Sequence, residues 1–391
     1  MKIAIMTCGM LPIPAVQGGA VENLIDFYLD YNNQKKLHDI TIYSPRNEKL
    51  NNHPALSSNV NHYIYIDVAS LKARIERRIY KYFHTNEYYN NFIEYYFEQV
   101  YKDLKKKDFD LIILENSPGH AYKLSQRGYK NIILHLHNDL LHLTSRYHNV
   151  ISNSLTKVIT VSDYLKKRVS TVYPSDKIQT IYNGIDLKNF LPNGTFHVSR
   201  KTLGFSEEDF VIVYNGRINK EKGISELIDA LLQLKEIPQI KLMALGSSFF
   251  DDVKNENTFV RSLKEKVKDI EDRVVFTGFV PYKKISEYLH LADIAVLPSI
   301  WEEPFGLTIV EAMATGLPLI TTRSGGIPEI CESVATIVER NNIVNSLTNA
   351  ILDLYQDSEK RKQMAAASLQ RAMLFDKESF AEKFFAALEN L

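Results

Sequence analysis

Residues 302–318 read EEPFGLTIVEAMATGLP and place two glutamates, Glu303 and Glu311, on either side of a Pro-Phe-Gly turn. The apolar run after the turn predicts a largely buried helix that carries Glu311. The unpaired N–H groups at the start of a helix bind anions readily. A carboxylate on each side of that point can accept hydrogen bonds from hydroxyl groups. The stretch therefore predicts a site for a ligand that joins an anionic group to hydroxyl-rich groups, which is the layout of a nucleotide sugar.

The rest of the chain alternates short β-branched runs with helical patterns, as parallel βαβ units do. An Asn-Gly turn signal at residues 183–184 separates two series of such units. The length of 391 residues suits two α/β domains better than one. The predicted strands of the first series are 2–7, 39–43, 62–66, 110–114, 131–136, 157–161 and 177–180, and those of the second are 210–214, 241–245, 273–277, 294–297 and 317–321.

Composition indicates a cytoplasmic protein. No apolar run reaches the ~18 to 20 residues that span a bilayer. The first residues after Met1 are typical of a buried strand rather than of a signal peptide. Only two cysteines occur, Cys8 and Cys331, far apart and without metal-ligand spacing, which favours a reducing compartment without disulfides.

The segment 302–318 closely resembles the donor-site motif of the retaining GT-B glycosyltransferases of family 4, the glycosyl transferases group 1. The spacing of the two glutamates is that family's E-x7-E pattern, and residues 216–223 match its G-R-x4-K-G pattern. The resemblance implies a GT-B fold, in which two Rossmann-like doubly wound domains face each other across a cleft. Residues 1–185 would form the acceptor-side domain, 186–374 the nucleotide-sugar-binding domain, and 375–391 a terminal helix that crosses back to the first domain.

The resemblance also implies roles for charged residues. Arg217 and Lys222 would bind the donor diphosphate, for which a planar guanidinium and a compact ammonium are both suited. Lys220 is the weaker candidate. Glu303 would contact the hydroxyls of the donor sugar, and Glu311 those of the ribose.

Backbone groups would complete the donor site. The N–H groups of Phe305, Gly306 and Leu307 would meet the diphosphate or the sugar. Gly18 and Gly19 follow the first predicted strand at a helix start, where the absence of side chains lets a phosphate approach the backbone. Gly-Gly alone is usually just a turn; the resemblance places this pair beside the diphosphate.

Two histidines, His135 and His137, end the fifth predicted strand. A metal site would need further ligands, and no Cys or His cluster supplies them in the sequence, so no metal is predicted. A buried structural histidine is the common alternative. The resemblance implies that His137 lies near the reacting sugar, with His135 as the other candidate.

The function implied is transfer of a sugar from a nucleotide sugar to a hydroxyl acceptor with retention at the anomeric carbon. A UDP-sugar is the leading candidate for the donor. The acceptor would be a glycan, glycolipid or protein in cell-surface polysaccharide or glycoconjugate assembly, and no cofactor or metal would be required. Two alternatives stay open. One is a GT-B epimerase that converts a nucleotide sugar without an acceptor, and the other is a catalytically silent GT-B subunit of a partner enzyme.

One segment, residues 71–107, combines basic residues with a dense series of Tyr and Phe. The first 190 residues hold 24 Lys and Arg against 18 Asp and Glu. Basic and aromatic helices bind anionic membranes, so the segment indicates peripheral attachment to the inner membrane face. An ordinary helix with a solvated charged face is the alternative. A neutral chain without a matching motif is not expected to bind nucleic acid.

Overall fold

The computed structural model describes residues 1–84, 88–191, 197–246 and 258–389. They form two compact units, one of residues 1–183 with 377–391 and one of residues 184–376. The boundaries expected from the sequence, after residues 185 and 374, lie two residues from these divisions.

The described residues of the first unit form a series of parallel strands connected mostly by helices. Its elements are β1 (Lys2–Met6), α1 (Ala20–Lys35), β2 (Asp39–Pro45), β3 (Asn61–Ile66), α2 (Leu71–Phe83), α3 (Asn91–Leu104), β4 (Leu111–Glu115), α4 (Pro118–Ser125), β5 (Ile132–Leu136), α5 (His148–Ser154), β6 (Lys157–Thr160), α6 (Asp163–Val169) and β7 (Ile178–Thr180). All seven strands are parallel, in the order β3-β2-β1-β4-β5-β6-β7. The strand order runs outward in opposite directions from the neighbours β1 and β4, so the topological switch point of the sheet lies between these two strands.

The second unit repeats the arrangement with six strands. Its elements are β8 (Phe210–Asn215), α7 (Ile224–Gln233), β9 (Ile240–Leu245), α8 (Thr258–Lys266), β10 (Val274–Gly278), α9 (Tyr282–Leu289), β11 (Ile294–Leu297), α10 (Leu307–Ala314), β12 (Leu319–Thr322), α11 (Ile327–Cys331), β13 (Thr336–Val338), α12 (Ile343–Gln356) and α13 (Ser358–Ala372). The parallel order is β10-β9-β8-β11-β12-β13, so its switch point lies between β8 and β11.

Helix α14 (Lys377–Glu389) belongs to the first unit although it ends the chain. It packs on α1, where the ring of Phe384 stacks on Tyr28 with centroids 4.3 Å apart. Phe380, Phe384 and Phe385 are all buried. Burial of one aromatic side chain contributes about 1.5–3 kcal/mol, which explains why so short a terminal helix stays docked.

The predicted parallel architecture is confirmed, and all twelve predicted strands exist. Strand β13, of three residues, was not predicted. Among the residues described, no helix is long and apolar enough to cross a membrane.

Candidate active site

The predicted donor residues surround the switch point of the second sheet. Gly216 and Arg217 follow β8, while the segment with Glu303 connects β11 to α10. Because β8 and β11 are neighbouring parallel strands, the loops after them leave the same edge of the sheet. Ligands of open α/β sheets bind at such points.

Glycine at position 223 brings these two loops together. Gly223 has a φ of 71°, and a Cβ there would lie only 1.9 Å from the carbonyl oxygen of Pro298. The backbone N–H of Ile300 donates to the carbonyl of Glu221 across the same contact, at 2.9 Å. A side chain at position 223 would push the loops apart. This explains why glycine follows Lys222 in the sequence pattern.

The contact places Lys222 against Glu303. The lysine amine forms an ion pair with the Glu303 carboxylate, and Ser299 Oγ donates to the same carboxylate at 2.9 Å. The amine also lies 5.6 Å from the ring centroid of Trp301. Glu303 is buried, and a buried carboxylate needs such partners to offset its desolvation.

A second glycine contact fixes the backbone of Glu303. Gly325 has a φ of 54°, and a Cβ there would lie 2.2 Å from the carbonyl oxygen of Glu303. The N–H of Gly326 donates to that oxygen at 2.7 Å. Glycine at position 325 therefore allows the close packing of this backbone.

Glu311 lies in α10 with its carboxylate buried against the end of β8. Asn215 Nδ2 donates to Glu311 Oε2 at 2.8 Å. Burial raises the pKa of Glu311 to about 7, although the hydrogen bond from Asn215 acts in the opposite direction. A hydroxyl that donated to this carboxylate would add a further stabilising bond to its ionised form.

Arg217 and the start of α10 remain accessible beside this pair. The Arg217 side chain is exposed and forms no ion pair within the part of the chain that the structure describes. Helix α10 begins at Leu307, whose N–H has no intrahelical partner, and Gly306 precedes it at a φ of 110°. Phe305 is buried, with its ring edge-on to Phe375.

In the first unit, Gly18 and Gly19 lie at the start of α1 with φ values of 76° and 112°. The structure adds a residue that the sequence interpretation missed. The carboxylate of Glu22 folds back, so that a Cβ on Gly19 would lie 2.1 Å from Glu22 Oε2. Burial raises the pKa of Glu22 to about 7. A phosphate at this helix start would therefore meet a carboxylate, and protonation of Glu22 would favour its approach.

Both histidines contact one carboxylate, that of Glu115 at the end of β4. His137 Nε2 lies 2.8 Å from Glu115 Oε2, and His135 Nδ1 lies 3.1 Å from the same oxygen. Tyr28 donates its hydroxyl to Glu115 Oε1 at 3.0 Å. The backbone N–H of His137 donates to Asn116 Oδ1 at 3.2 Å, which fixes the loop after β5.

The electrostatics of the cluster follow from its burial. Burial alone would raise the pKa of Glu115, but the charge of His135 and the hydrogen bonds from both histidines outweigh it and hold that pKa below its ordinary value. Burial lowers the pKa of His137 to about 4, with a further lowering from His135. At neutral pH the cluster therefore holds an ionised Glu115 and a neutral His137.

The sequence supplies no further Cys or His ligand beside these histidines, but the structure brings the Glu115 carboxylate to them. One ligand atom each from Glu115, His135 and His137 lies within 4.8 Å of the others, a spacing that would also suit a metal ion. The cause is the register of the sheet, which pairs Glu115 with His135 across β4 and β5. Every polar contact of the cluster just described is also a good hydrogen bond without a metal.

Two Rossmann-like units in one chain are the architecture of the GT-B glycosyltransferases. The family model for glycosyl transferases group 1 matches residues 196–371, and the model for glycosyltransferase family 4 matches residues 33–189. The chain belongs to this family and is a glycosyltransferase.

Relatives of similar length support the assignment. The chain is 30% identical over 380 residues to the putative glycosyltransferase YtcC of Bacillus subtilis, covering 93% of this chain and 86% of the relative. It is 29% identical over 388 residues to spore coat protein SA of the same organism, covering 95% and 94%.

Solved structures share the fold over the whole chain. The crystal structure of Anabaena HepE in complex with UDP and glucose has a TM-score of 0.74 at 21% identity and covers 100% of both chains. Sucrose-phosphate synthase from Thermosynechococcus elongatus has a TM-score of 0.76 at 21% identity, covering 100% of this chain and 98% of that one.

Proposed function

We propose that the protein transfers a sugar from a UDP-sugar to a hydroxyl acceptor with retention at the anomeric carbon, in the assembly of a cell-surface polysaccharide or glycoconjugate. The observation that carries the proposal is the Lys222–Glu303 pair at the switch point of the second sheet. It sets a cation for a phosphate beside a carboxylate for sugar hydroxyls. The complexes of HepE with UDP and with UDP-glucose support a uridine donor.

The reaction would proceed through stabilisation of the departing diphosphate. The bond from the anomeric carbon to the phosphate oxygen breaks, and the acceptor oxygen bonds to the same face of that carbon. The acceptor proton passes to the departing phosphate oxygen. Arg217, Lys222 and the N–H groups at the start of α10 would stabilise the growing negative charge, an effect that needs no metal. His137 would contact a hydroxyl of the sugar.

The two alternative classes make different demands on this site. A silent subunit would not need Arg217, Lys222, Glu303 and Glu311, and all four are present. An epimerase would need no acceptor. The membrane attachment proposed below would favour a transferase, because it would give a lipid-linked acceptor a place to be presented.

The test is a donor screen by thermal shift with UDP-, GDP- and ADP-sugars, followed by mass measurement of products with lipid-linked and soluble acceptors. We expect the largest shift with a UDP-sugar, a product heavier than the acceptor by one sugar, and an unchanged rate in EDTA. A change in donor without any acceptor would favour the epimerase. Loss of transfer in EDTA that Mn²⁺ restores would contradict the metal-free mechanism.

We further propose that α2 attaches the protein to an anionic membrane surface. Its inward side is formed by Ala73, Glu76, Arg77 and Tyr80, and Tyr95 donates to Glu76 at 2.6 Å. Its outward side is apolar at helical spacing, with side chains 51% to 81% exposed. These are Leu71, Ile75, Ile79, Tyr82 and Phe83.

Charge specifies the partner of this apolar stripe. Lys72, Arg74, Arg78 and Lys81 are exposed around it. Each cation near an anionic lipid surface contributes about 1 kcal/mol, and the apolar stripe supplies insertion. The aromatic series in α3 contributes less than the sequence suggested, because Tyr95, Tyr96 and Phe97 are buried in the core. Residues 85–87 of the segment lie outside the described residues.

Cosedimentation with liposomes checks this attachment. Wild type is expected to bind vesicles with anionic lipid and to leave them at high salt, since charges are screened within about 8–10 Å at 0.1–0.15 M salt. Arg78→Glu with Lys81→Glu should abolish binding, as should Ile75→Ser with Ile79→Ser. Arg77 is left unchanged because its guanidinium packs 5.0 Å from the Phe92 ring centroid.

A charge reversal of equal size away from α2 provides the control. Lys130 and Lys167 are exposed in the same unit outside residues 71–107, and Lys130→Glu with Lys167→Glu should bind as wild type does. Equal binding to zwitterionic vesicles, or equal loss in the control, would contradict the proposal. Retention on a protein partner with no vesicle binding would assign the stripe to a protein interface instead.

A further inference from the structure

Glu115 accepts hydrogen bonds from three side chains that come from different elements. Tyr28 in α1 donates to Oε1 at 3.0 Å, while His135 in β5 and His137 after it approach within 3.2 Å. An ionised carboxylate is an acceptor only. Each ring nitrogen that faces Glu115 must therefore carry a proton, which is Nδ1 in His135 and Nε2 in His137.

This requirement fixes the opposite nitrogen of the neutral His137 ring. A neutral imidazole has one N–H and one lone pair, so a proton on Nε2 of His137 leaves Nδ1 as an acceptor. Nδ1 of His137 is buried and has no hydrogen-bond partner among the described residues. A donor that arrives with a ligand would give this acceptor the partner that it lacks. Sugar hydroxyls are such donors, whereas a fully ionised phosphate is not.

Helix α14 packs against groups that donate to Glu115. The Tyr28 ring lies in a parallel stack on Phe384 of α14, with centroids 4.3 Å apart. Phe384 also contacts the ring of His135, at 5.5 Å between centroids. The last helix of the chain therefore fixes two of the three groups that donate to Glu115.

We propose that Glu115 is a positioning residue that holds His137 as the Nε2–H tautomer, so that Nδ1 accepts a hydrogen bond from a hydroxyl of the substrate. The tautomer is a property of the free protein, whereas the hydroxyl rests on the proposed function. Glu115 acts through His137 and does not touch the substrate.

The tautomer is measured by long-range ¹H–¹⁵N correlation NMR on protein with ¹⁵N-labelled histidine, and the His137 signals are assigned by their loss in His137→Gln. Wild type should show a proton on Nε2 of His137 and a bare Nδ1 at neutral pH. Glu115→Gln should lose this single tautomer, because an amide can donate as well as accept. Its kcat/KM should fall about 10-fold or more, since a carboxylate that orients a catalytic histidine elsewhere contributes up to about 10⁴ in rate.

Tyr28→Phe is the matched control. It removes one hydrogen bond from the same carboxylate and keeps the ring that stacks on Phe384. We expect it to keep the His137 tautomer, so a change in Glu115→Gln alone separates tautomer control from loss of stability. A proton on Nδ1 in wild type, or an unchanged tautomer in Glu115→Gln, would overturn the proposal, as would one equivalent of tightly bound metal in the purified protein. Because NMR needs no donor, failure of sugar transfer would leave this test intact.

Discussion

Arg217→Ala is expected to lower kcat/KM by about 100-fold or more, which corresponds to the loss of about 3 kcal/mol of transition-state stabilisation. Arg217 is the exposed cation directly after β8, at the switch point where a diphosphate would bind. Its guanidinium contributes nothing to the ion pairs described for the fold, so its removal should leave the circular dichroism and melting temperature unchanged.

Lys220→Ala is the matched control for this experiment. Lys220 is an exposed cation on the same loop, in the short turn Lys220–Lys222. The Lys220→Ala variant is expected to retain most of the activity. Near-native turnover in Arg217→Ala, or equal losses in both variants, would contradict the assignment of Arg217 to the phosphates.

Lys222→Ala should cause a loss as large as that of Arg217→Ala, but its interpretation needs a second variant. Lys222 also neutralises Glu303, whose carboxylate would keep the hydrogen bond from Ser299. If Lys222 binds phosphate, Lys222→Ala combined with Glu303→Gln will be slower than Glu303→Gln alone. Equal rates would mean that the lysine acts only through the glutamate.

The residues predicted for the donor side belong to a local motif, and the structure brings them together. Glu303, Gly306 and Glu311 lie within nine residues, and one turn followed by one helix fixes their order along the chain. The contact between Lys222 and Glu303 spans 81 positions and depends on Gly223 packing against Pro298. No periodicity reports such a contact, although the two loops follow strands that neighbour each other.

The histidine cluster shows what sequence reasoning missed and where the signal was. Glu115 is a charged residue at the end of an otherwise apolar strand, LIILE, and His135 occupies the matching position of the next strand. Parallel strands end at the same edge, so the pair could have been inferred from strand register. The role of Tyr28 could not have been inferred in this way, because it depends on the orientation in which α1 packs against α14.

Helix α2 shows another feature that the sequence could not determine, which is the side of the helix that faces the solvent. Its period of 3.6 residues indicates an apolar stripe, but a stripe does not reveal whether it faces a core or the solvent. Here the polar side packs inward through Glu76 and Arg77, and the apolar side is exposed. The neighbouring aromatic series in α3 follows the ordinary rule and fills the core.

Glu311→Gln is expected to weaken the binding of free UDP by about 10-fold or more, the cost of a lost hydrogen bond between a hydroxyl and a carboxylate. Glu303→Gln should leave UDP affinity unchanged while lowering turnover of the UDP-sugar, because Glu303 is assigned to the sugar. Calorimetric titration of both variants with UDP checks the division. Equal changes in UDP affinity would refute it.

The pH dependence of UDP binding gives the same prediction a second measurement. The pKa of Glu311 is raised to about 7 in the free protein, and a hydroxyl that donates to the carboxylate favours its ionised form. Binding should therefore release a proton, and affinity should rise with pH up to about 7 and then level off. Glu311→Gln should lack this component, so the ratio of its affinity to that of wild type isolates Glu311 from the titration of the phosphate.

The contribution of Glu311 to the stability of the fold changes with pH in the opposite direction to UDP affinity, and it serves as the control. A carboxyl whose pKa is higher in the folded state than in the unfolded chain stabilises the fold only while it is protonated, and that contribution is lost as pH rises through about 7. Glu311→Gln is neutral at every pH and keeps an oxygen that can accept from Asn215. At pH 8 its melting temperature should equal or exceed that of wild type while its UDP affinity is lower. A variant that loses both together would place Glu311 in the fold alone rather than in the ribose site.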